Sequence, residues 1–380
     1  MIEVRTVTTD RKGLNDFLDL PYRLYRDDMN WVPPLRFERK MFFNQKKNPF
    51  FEHGEADYFV CYRDGAPVGR ITAHIDRNYD SYHKTKHGFF GFFETENDPQ
   101  VANALIKTAE EWVAKRGYDR IIGPMNFTTN HDSPGFIVFG AETPSYLMNP
   151  HTMPYYPGFF RAAGYGDEQL LNSWALTEPK DLPQEFHDRD EKLCAKYGDR
   201  LVVRHIDLKN LRKDVDMILK IFNDAWCDNW GYVPMTEREI TAMADELKLI
   251  VNIRLTYMVF LDGEPVAFMV SMPDINQILR ENRNGAMFSR AFFRLLFNSK
   301  KHINQFRVML LGSLKKYRLL GFDALMYHRL LHDGLDTGHR EVEMSWILDT
   351  NKPMNNAAAH MGAHLFQQYL ILAKPLRPTA

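Results

Sequence analysis

Hydrophobic and polar positions alternate with period two in some stretches of this chain and with a period near 3.6 in others. The clearest period-two signal spans residues 56–62 and 67–75, with Arg63-Asp64-Gly65-Ala66 between them. Asp-Gly between two alternating runs predicts a β-hairpin. The same signal returns at residues 257–261 and 265–271 around Asp262-Gly263. Helical spacing predicts helices at 14–25, 99–116 and 215–226, the second stopped by Gly117. A further helix is expected at 236–248, where Thr236 and Glu239 have capping-box spacing. Short apolar runs predict strands at 1–7, 88–93, 120–123, 201–206, 308–311 and 341–348. A short helix is expected within the irregular 31–51 segment, and a helix followed by an edge strand within 352–370. The order strand, helices, hairpin, strand, helix, strand therefore occurs twice, a repeat of domain size. The expected fold class is α/β with a mixed sheet. It divides into an N-terminal unit at 1–178, a charged linker and helix at 179–200, and a C-terminal unit at 201–380.

Composition narrows the function classes. With 44% hydrophobic and 26% charged residues the chain has the balance of a soluble globular protein. A formal charge of −1 argues against a general nucleic-acid binder, and no nucleic-acid partner is expected. Cys61, Cys194 and Cys227 form neither a disulfide framework nor a zinc spacing, which fits a reducing compartment. No leader pattern stands at the start, and no apolar run approaches the ~20 residues of a spanning helix. The expectation is a cytoplasmic protein, at most peripheral on the inner membrane. The 27 Phe, 17 Tyr and 6 Trp suit an enzyme with an apolar substrate.

The stretch 308–324 carries the most chemistry. An apolar strand leads into Gly312, Ser313, Lys315, Lys316, Tyr317 and Arg318, and a helical pattern starts after Gly321. A strand, a basic glycine-bearing turn and a helix N-terminus form an anion site, because free backbone N–H groups and the helix dipole both favour negative charge. An ordinary connection with a solvated basic turn is the alternative. Residues 276–322 hold ten Lys/Arg and a single acid, Glu281. Phe288, Ala291, Phe292, Leu295 and Leu296 recur there at helical spacing. Such a helix suits an anionic membrane surface or, equally, packs on the domain beside the basic turn, where it would wall any slot there. His131 and Asp132 lie in a Gly/Pro-punctuated loop as a candidate base and its orienting carboxylate. Glu343 alternates onto one face of a buried strand, where it needs an ion-pair partner or a catalytic role. The i,i+4 pairs His328/His332 and His360/His364 lack the intervening Glu of a zinc protease motif, so no metal is expected.

Arg318-x-x-Gly321 after an apolar strand resembles the pyrophosphate loop of GNAT acyltransferases. Asp323 departs from that pattern, which has a small residue there. The loop of the first repeat, 94–99, is acidic and lacks Arg-x-x-Gly, so only the second repeat is expected to bind coenzyme A. Three blocks extend the likeness. They are Gly123-Pro124-Met125-Asn126-Phe127 with Asn130, Thr143-Pro144 and Pro154-Tyr155-Tyr156-Pro157; Ala225-Trp226 with Asn229 to Pro234; and Leu311-Gly312 through Glu343-x-Ser345-Trp346 to Lys374-Pro375-Leu376. Together they resemble a family of tandem GNAT-like N-acyltransferases that includes the bacterial ceramide synthases. The resemblance implies fatty acyl transfer from a coenzyme A thioester to a sphingoid base or similar long-chain amine. It implies cofactor contacts at Leu311, Gly312, Lys315, Lys316, Tyr317, Arg318, Gly321 and Phe322. Substrate contacts are expected at Asn130, Tyr156, Trp230, Phe292 and Trp346, with Glu343, His131 and Asp132 as catalytic candidates. The tyrosine acid that GNAT enzymes often carry falls near Ala358 and is missing. Acyl transfer to a small amine or amino acid, aminoacyl-tRNA-dependent transfer, and a non-catalytic acyl-CoA- or lipid-binding protein are the alternatives.

Overall fold

The computed structural model describes residues 1–128, 132–179, 181–298 and 302–376. In chain order the elements begin with β1 (Ile2–Thr6), α1 (Arg11–Leu24), α2 (Arg36–Phe42), β2 (Gly54–Arg63), β3 (Ala66–Asp76), α3 (Arg77–His83), β4 (His87–Thr95) and α4 (Pro99–Ala114). There follow β5 (Arg120–Gly123), β6 (Phe136–Phe139), α5 (Tyr156–Ala162), β7 (Gly166–Thr177), α6 (Gln184–Tyr197), β8 (Leu201–His205), α7 (Leu211–Trp226) and α8 (Glu237–Ile250). The chain then forms β9 (Tyr257–Leu261), β10 (Glu264–Pro273), α9 (Asn276–Leu279), α10 (Arg290–Asn298), β11 (Gln305–Ser313), α11 (Phe322–Asp336), β12 (Glu341–Leu348), α12 (Lys352–His360) and β13 (His364–Pro375).

The chain folds into two compact units that are discontinuous in sequence. One comprises Met1–Leu171, Ile278–Asn298 and Gln367–Ala380, the other Asn172–Gln277 and Ser299–Phe366. In the first unit the strand order is β1-β2-β3-β4-β5-β13, with β6 also on β13. β4 and β5 are parallel, joined by α4 as crossover, and the other pairs are antiparallel. Period-two alternation sends Phe59 and Cys61 to the face covered by α4, and Tyr58, Val60 and Tyr62 to the face of α1. On that second face Phe17, Phe43, Phe50, Phe92 and Phe127 form an aromatic core.

The second unit repeats the plan with β7-β12-β11-β10-β9-β8. β11 and β12 are parallel across α11. Ala267 and Met269 join the core beneath α6 and α11, whereas Phe268 and Val270 join the one beneath α7. Both expected hairpins form. Their turns hold Asp64 and Gly65 at φ 50° and 83°, and Asp262 and Gly263 at 53° and 79°, the left-handed pair a tight two-residue turn requires. The capping box of α8 is reciprocal: Thr236 N–H donates to Glu239 Oε2 at 2.7 Å, and Glu239 N–H to Thr236 Oγ1 at 3.2 Å.

Three features differ from the expectation. Residues 364–375 are not an edge: β13 is an interior strand that pairs with β5 and, further along, with β6. The pattern gave no signal for β6, α5 or the twelve-residue β7. The single cut expected near 178–201 is replaced by interleaved segments, and the basic segment 278–298 belongs to the first unit. Arg283 explains that last placement. Its guanidinium donates to the carbonyls of Trp31 (2.7 Å), Tyr25 (3.0 Å) and Asp28 (2.7 Å) at the end of α1. Gly285, at φ 64°, stands where a Cβ would meet Pro34 O at 2.5 Å.

Candidate active site

In the second unit β11 and β12 pair only from Gln305/Glu341 to Val308/Met344. Beyond that point both strands continue but their pairing stops. The register with β10 jumps from Val270/Leu310 to Ser271/Val308, so Met309 is an extra residue on β11. A bulge of this kind bends the strand and frees its backbone groups. β11 is buried at Phe306, Arg307 and Val308 but only half-buried from Met309 to Ser313. The result is a parting between the two strands beside a half-buried stretch of β11 that no longer pairs with β12; we call this parting the cleft. On the β12 side Trp346 is half-buried, and its Nε1 has no hydrogen-bond partner among the described residues.

A 3₁₀ turn, Lys315–Leu320, and the N-terminus of α11 follow directly. Gly321 adopts φ 89° and provides no side-chain cap, so the first N–H groups of this fifteen-residue helix stay available. A Cβ at Gly312 would lie 2.4 Å from the Trp226 ring, and one at Gly321 would lie 2.7 Å from Arg189 Cδ. Close packing on Trp226 thus requires the first glycine, and the left-handed backbone the second. The cations of the turn are engaged. Lys315 binds Asp228 and Cys227, which raise its ammonium above the usual range; Lys316 pairs with Glu264 at 2.8 Å; Arg318 donates to Ala225 O at 2.6 Å and is otherwise exposed. Tyr317 OH also donates to Glu264, at 3.1 Å.

The corresponding place in the first unit is filled. β4 and β5 pair from His87/Arg120 to Phe89/Ile122 and then diverge in the same way, with Phe92 at φ 47° in an irregular stretch. Here, however, β4 is buried from Gly88 to Thr95. Asn126 Oδ1 accepts from Phe92 N–H at 2.9 Å, Met125 N–H donates to Phe90 O at 2.7 Å, and a Cβ at Gly91 would strike Met125 O at 2.1 Å. Asp98 caps α4 through Gln100 N–H, and Pro99 opens that helix. Glu94 is buried with Arg70 at 3.8 Å and accepts from Tyr25 at 2.6 Å and Tyr156 at 2.9 Å. Burial pushes its carboxyl up, against the pull of Arg70.

Glu343 lies at the floor of the second unit's cleft. It is opposite Arg307 in the parallel register, one step before the strands part. Its side chain is fully buried, with Arg307 Nε 3.4 Å from Oε2 and Ser173 Oγ donating to Oε1 at 2.5 Å. Arg307 also donates to Ser345 O at 3.1 Å and lies 5.0 Å above the Trp346 ring.

No family model matches the chain. It is 33% identical over 371 residues to the bacterial ceramide synthase of Caulobacter vibrioides (strain NA1000 / CB15N), covering 96% of this chain and 95% of that protein. The chain belongs to the tandem GNAT-type N-acyltransferase family. It is also 32% identical over 372 residues to protein YghO of Escherichia coli (strain K12), covering 97% and 94% of the two chains. Among solved structures, a tandem GNAT protein from the clavulanic acid biosynthesis pathway aligns over 100% of both chains at 12% identity with a TM-score of 0.59. A GCN5-related N-acetyltransferase from Sphaerobacter thermophilus aligns over 100% of this chain and 97% of that one, at 11% identity and a TM-score of 0.50. These likenesses carry the fold. The protein is an N-acyltransferase.

Within this family fold the other expected site residues separate. Leu311, Gly312, Lys315, Lys316, Tyr317, Arg318, Gly321 and Phe322 follow one another along the end of β11, the 3₁₀ turn and the start of α11, Phe322 with its ring in the core. Trp346 stands on β12, and Trp230 is half-buried between α7 and α8. Tyr156 does not face an open surface; it is fully buried, and its hydroxyl is engaged with Glu94 and Thr95. Phe292 lies on α10 of the first unit, so the basic helix does not wall the second unit's cleft from within that unit. Asp132 accepts from Arg39 at 2.6 Å and from Ser133 N–H at 2.6 Å. His131 and Asn130 lie outside the described residues. Ala358, at the place of the missing acid, is a buried core position on α12. Sequence reasoning missed Asn126 as the plug of the first cleft and Asp224, Asp228 and Glu264 as partners of the basic turn. Their spacing from the groups they serve carries no local pattern.

Proposed function

We propose that the second unit binds an acyl-coenzyme A thioester in the cleft between β11 and β12, and that the acyl group passes to the amine of a sphingoid base or similar long-chain amine. The observation that supports this most is the contrast where the central strands part: a half-buried strand end and an uncapped helix start in one unit, a buried strand and a carboxylate-capped helix in the other. The printed name of the Caulobacter relative supports the acceptor class. Arg318, the N–H groups around Gly321 and Phe322, and Lys315 and Lys316 would hold the pyrophosphate, with the helix dipole behind them. Each lysine already has a carboxylate partner, so phosphate oxygens would share them with Asp228 and Glu264.

The reaction forms a C–N bond and breaks a C–S bond. The acceptor must first lose the ammonium proton, because only its lone pair attacks the thioester carbon. Charge then develops on the carbonyl oxygen, where β11 N–H groups beyond the Met309 bulge are preorganised donors. The leaving thiolate takes up a proton as coenzyme A. Glu343 is sealed and charge-paired with Arg307, a state suited to holding the cleft floor more than to collecting a proton from a bulky amine. His131 with Asp132, and Glu343, are the two candidates the sequence offers for the proton acceptor, and substitution of each decides between them.

The long-chain substrate calls for a membrane surface, and the first unit offers one of the right chemistry. Phe288 and Phe297 are 77% and 81% exposed, beside Phe293 and Leu296. Tyr22, Arg26, Arg36, Arg283 and Arg290 line an open hollow of about 600 Å³ nearby. Exposed aromatic rings over an arginine-lined hollow suit reversible docking on anionic headgroups. Among the described residues no helix is long and apolar enough to cross a membrane.

The test is turnover of palmitoyl-CoA with sphinganine, read as amide product and released thiol. Faster turnover of acetyl-CoA, or transfer confined to a short amine, would overturn the substrate class. His131→Ala should slow turnover by about 10²–10⁴-fold with coenzyme A binding intact. Binding to anionic over neutral liposomes, lost in Phe297→Asp, tests the membrane element.

A further inference from the structure

We propose that His187, His328 and His332 form a binding site for a divalent transition-metal ion of the zinc type that fastens α6 to α11. The site lies wholly in the second unit. The sequence shows only the i,i+4 pair His328/His332, which lacks the protease motif. Folding brings His187 from α6 alongside it. One ligand atom from each of the three rings lies within 4.8 Å of the others. Nε2 of His328 and Nε2 of His332 are already 3.0 Å apart. Tetrahedral zinc, with Zn–N bonds of about 2.0–2.1 Å, places its nitrogen ligands about 3.4 Å from one another. Small side-chain rotations would therefore complete the set.

The surroundings are those of a metal site. Histidine ligands commonly give their other ring nitrogen to a carboxylate, which fixes the tautomer and raises basicity. Here Asp190 holds Nδ1 of His328 at 2.8 Å and leaves Nε2 for the metal. Asp181 holds Nε2 of His187 at 2.7 Å and leaves Nδ1. Asp190 is itself buried and fixed by Arg329 at 3.3 Å. Two facing Nε2 atoms can share a single proton in the metal-free state, and a cation that takes both lone pairs removes that conflict. Three imidazoles with no carboxylate among the ligands select zinc, copper or nickel over magnesium or calcium. His332 is on the exposed side, so a water can take the fourth position.

The place gives the site a role. α6 and α11 share the apolar contacts of Phe186, Leu193, Leu325 and Met326, and the ion would lock that contact from the surface. Arg189, two residues after His187, rests against Gly321 in the basic turn.

The experiment uses the full chain, stripped with chelator and titrated with zinc chloride by calorimetry, with cobalt(II) absorption as a second readout of geometry. One ion per chain is expected, with a tetrahedral cobalt spectrum and a melting temperature that rises with free zinc. His332→Ala, whose ring is exposed, should weaken binding by about 100-fold or more, and Asp190→Asn by about 10–100-fold. His360→Ala, outside the cluster, should leave affinity unchanged. Equal zinc affinity in the parent and His332→Ala, or an octahedral cobalt spectrum in the parent, would overturn the site.

Discussion

The two units share one plan and differ in what stands where their central parallel strands part. In the second, β11 emerges from the core after Val308, and the helix beyond it begins uncapped at Gly321. In the first, β4 stays buried to Thr95, Asn126 occupies the free N–H, and Asp98 fills the helix N-terminus with a carboxylate. An anion at a helix start can be a ligand or a side chain, and the chain uses one solution in each unit. The repeat thus keeps a fold twice while leaving a cleft once. The filled copy is free to specialise in packing, as its aromatic core of Phe17, Phe43, Phe50, Phe92 and Phe127 shows.

The contrast can be attacked at four places. The largest effect belongs to the floor of the open cleft. Glu343→Gln leaves the Arg307 guanidinium buried without a counter-charge, and unfolding free energy should fall by about 3–5 kcal/mol in denaturant melts. Replacing both partners by apolar residues, Arg307→Met with Glu343→Leu, should recover most of it. A Glu343→Gln variant of parental stability that has lost turnover would instead identify Glu343 as the base. Next, Arg318→Glu should weaken coenzyme A binding by about 100-fold in calorimetry, since it replaces an attraction to phosphate by a repulsion. Unchanged affinity with the fold intact would break the assignment of the open cleft.

The third is a pH effect in the sealed unit. His74 is fully buried among Phe50, Phe89 and Phe127, and burial pushes its pKa down to about 3. The unfolded chain, with its imidazole near 6.5, binds the proton that the folded one refuses. Stability should therefore be complete above about pH 6.5 and decline as pH falls toward 3, by up to about 1.4 kcal/mol per pH unit. His74→Gln should flatten that slope in melts across the same range. Smallest is Asp98→Ala, which uncovers the start of α4. It should cost about 1 kcal/mol and should not create a second coenzyme A site, because Asn126 and the buried β4 still close the cleft.

Much of the fold was legible because its signals are local. Asp64-Gly65 and Asp262-Gly263 sit between alternating runs, and Thr236 with Glu239 encloses its own cap. What could not be read depends on partners far along the chain. β13 resembles an edge strand until Ile121, Ile122 and Gly123 are seen beside it. Residues 278–298 look like part of the second repeat until Arg283 is placed on the carbonyls of α1. The strand, turn and helix start at residues 305–322 were legible for the same reason as the hairpins, since their signals are contiguous. Glu343 was legible as a buried acid, but Arg307 was not assigned to it, because parallel pairing joins residues a whole crossover apart.

The sheet order of the first unit sets a rule for how this protein can be made. Its sixth strand is β13, and that strand follows the second repeat's other elements in the chain. As the chain leaves the ribosome, β5 therefore waits with one side unpaired until the second repeat has been translated. A gene cut after the first repeat would yield a domain missing a wall, with Ile121 and Ile122 on an exposed, sticky strand. Two separately expressed halves should collect in inclusion bodies. A circular permutant that places residues 364–376 ahead of Met1, through a flexible linker, would supply that wall first.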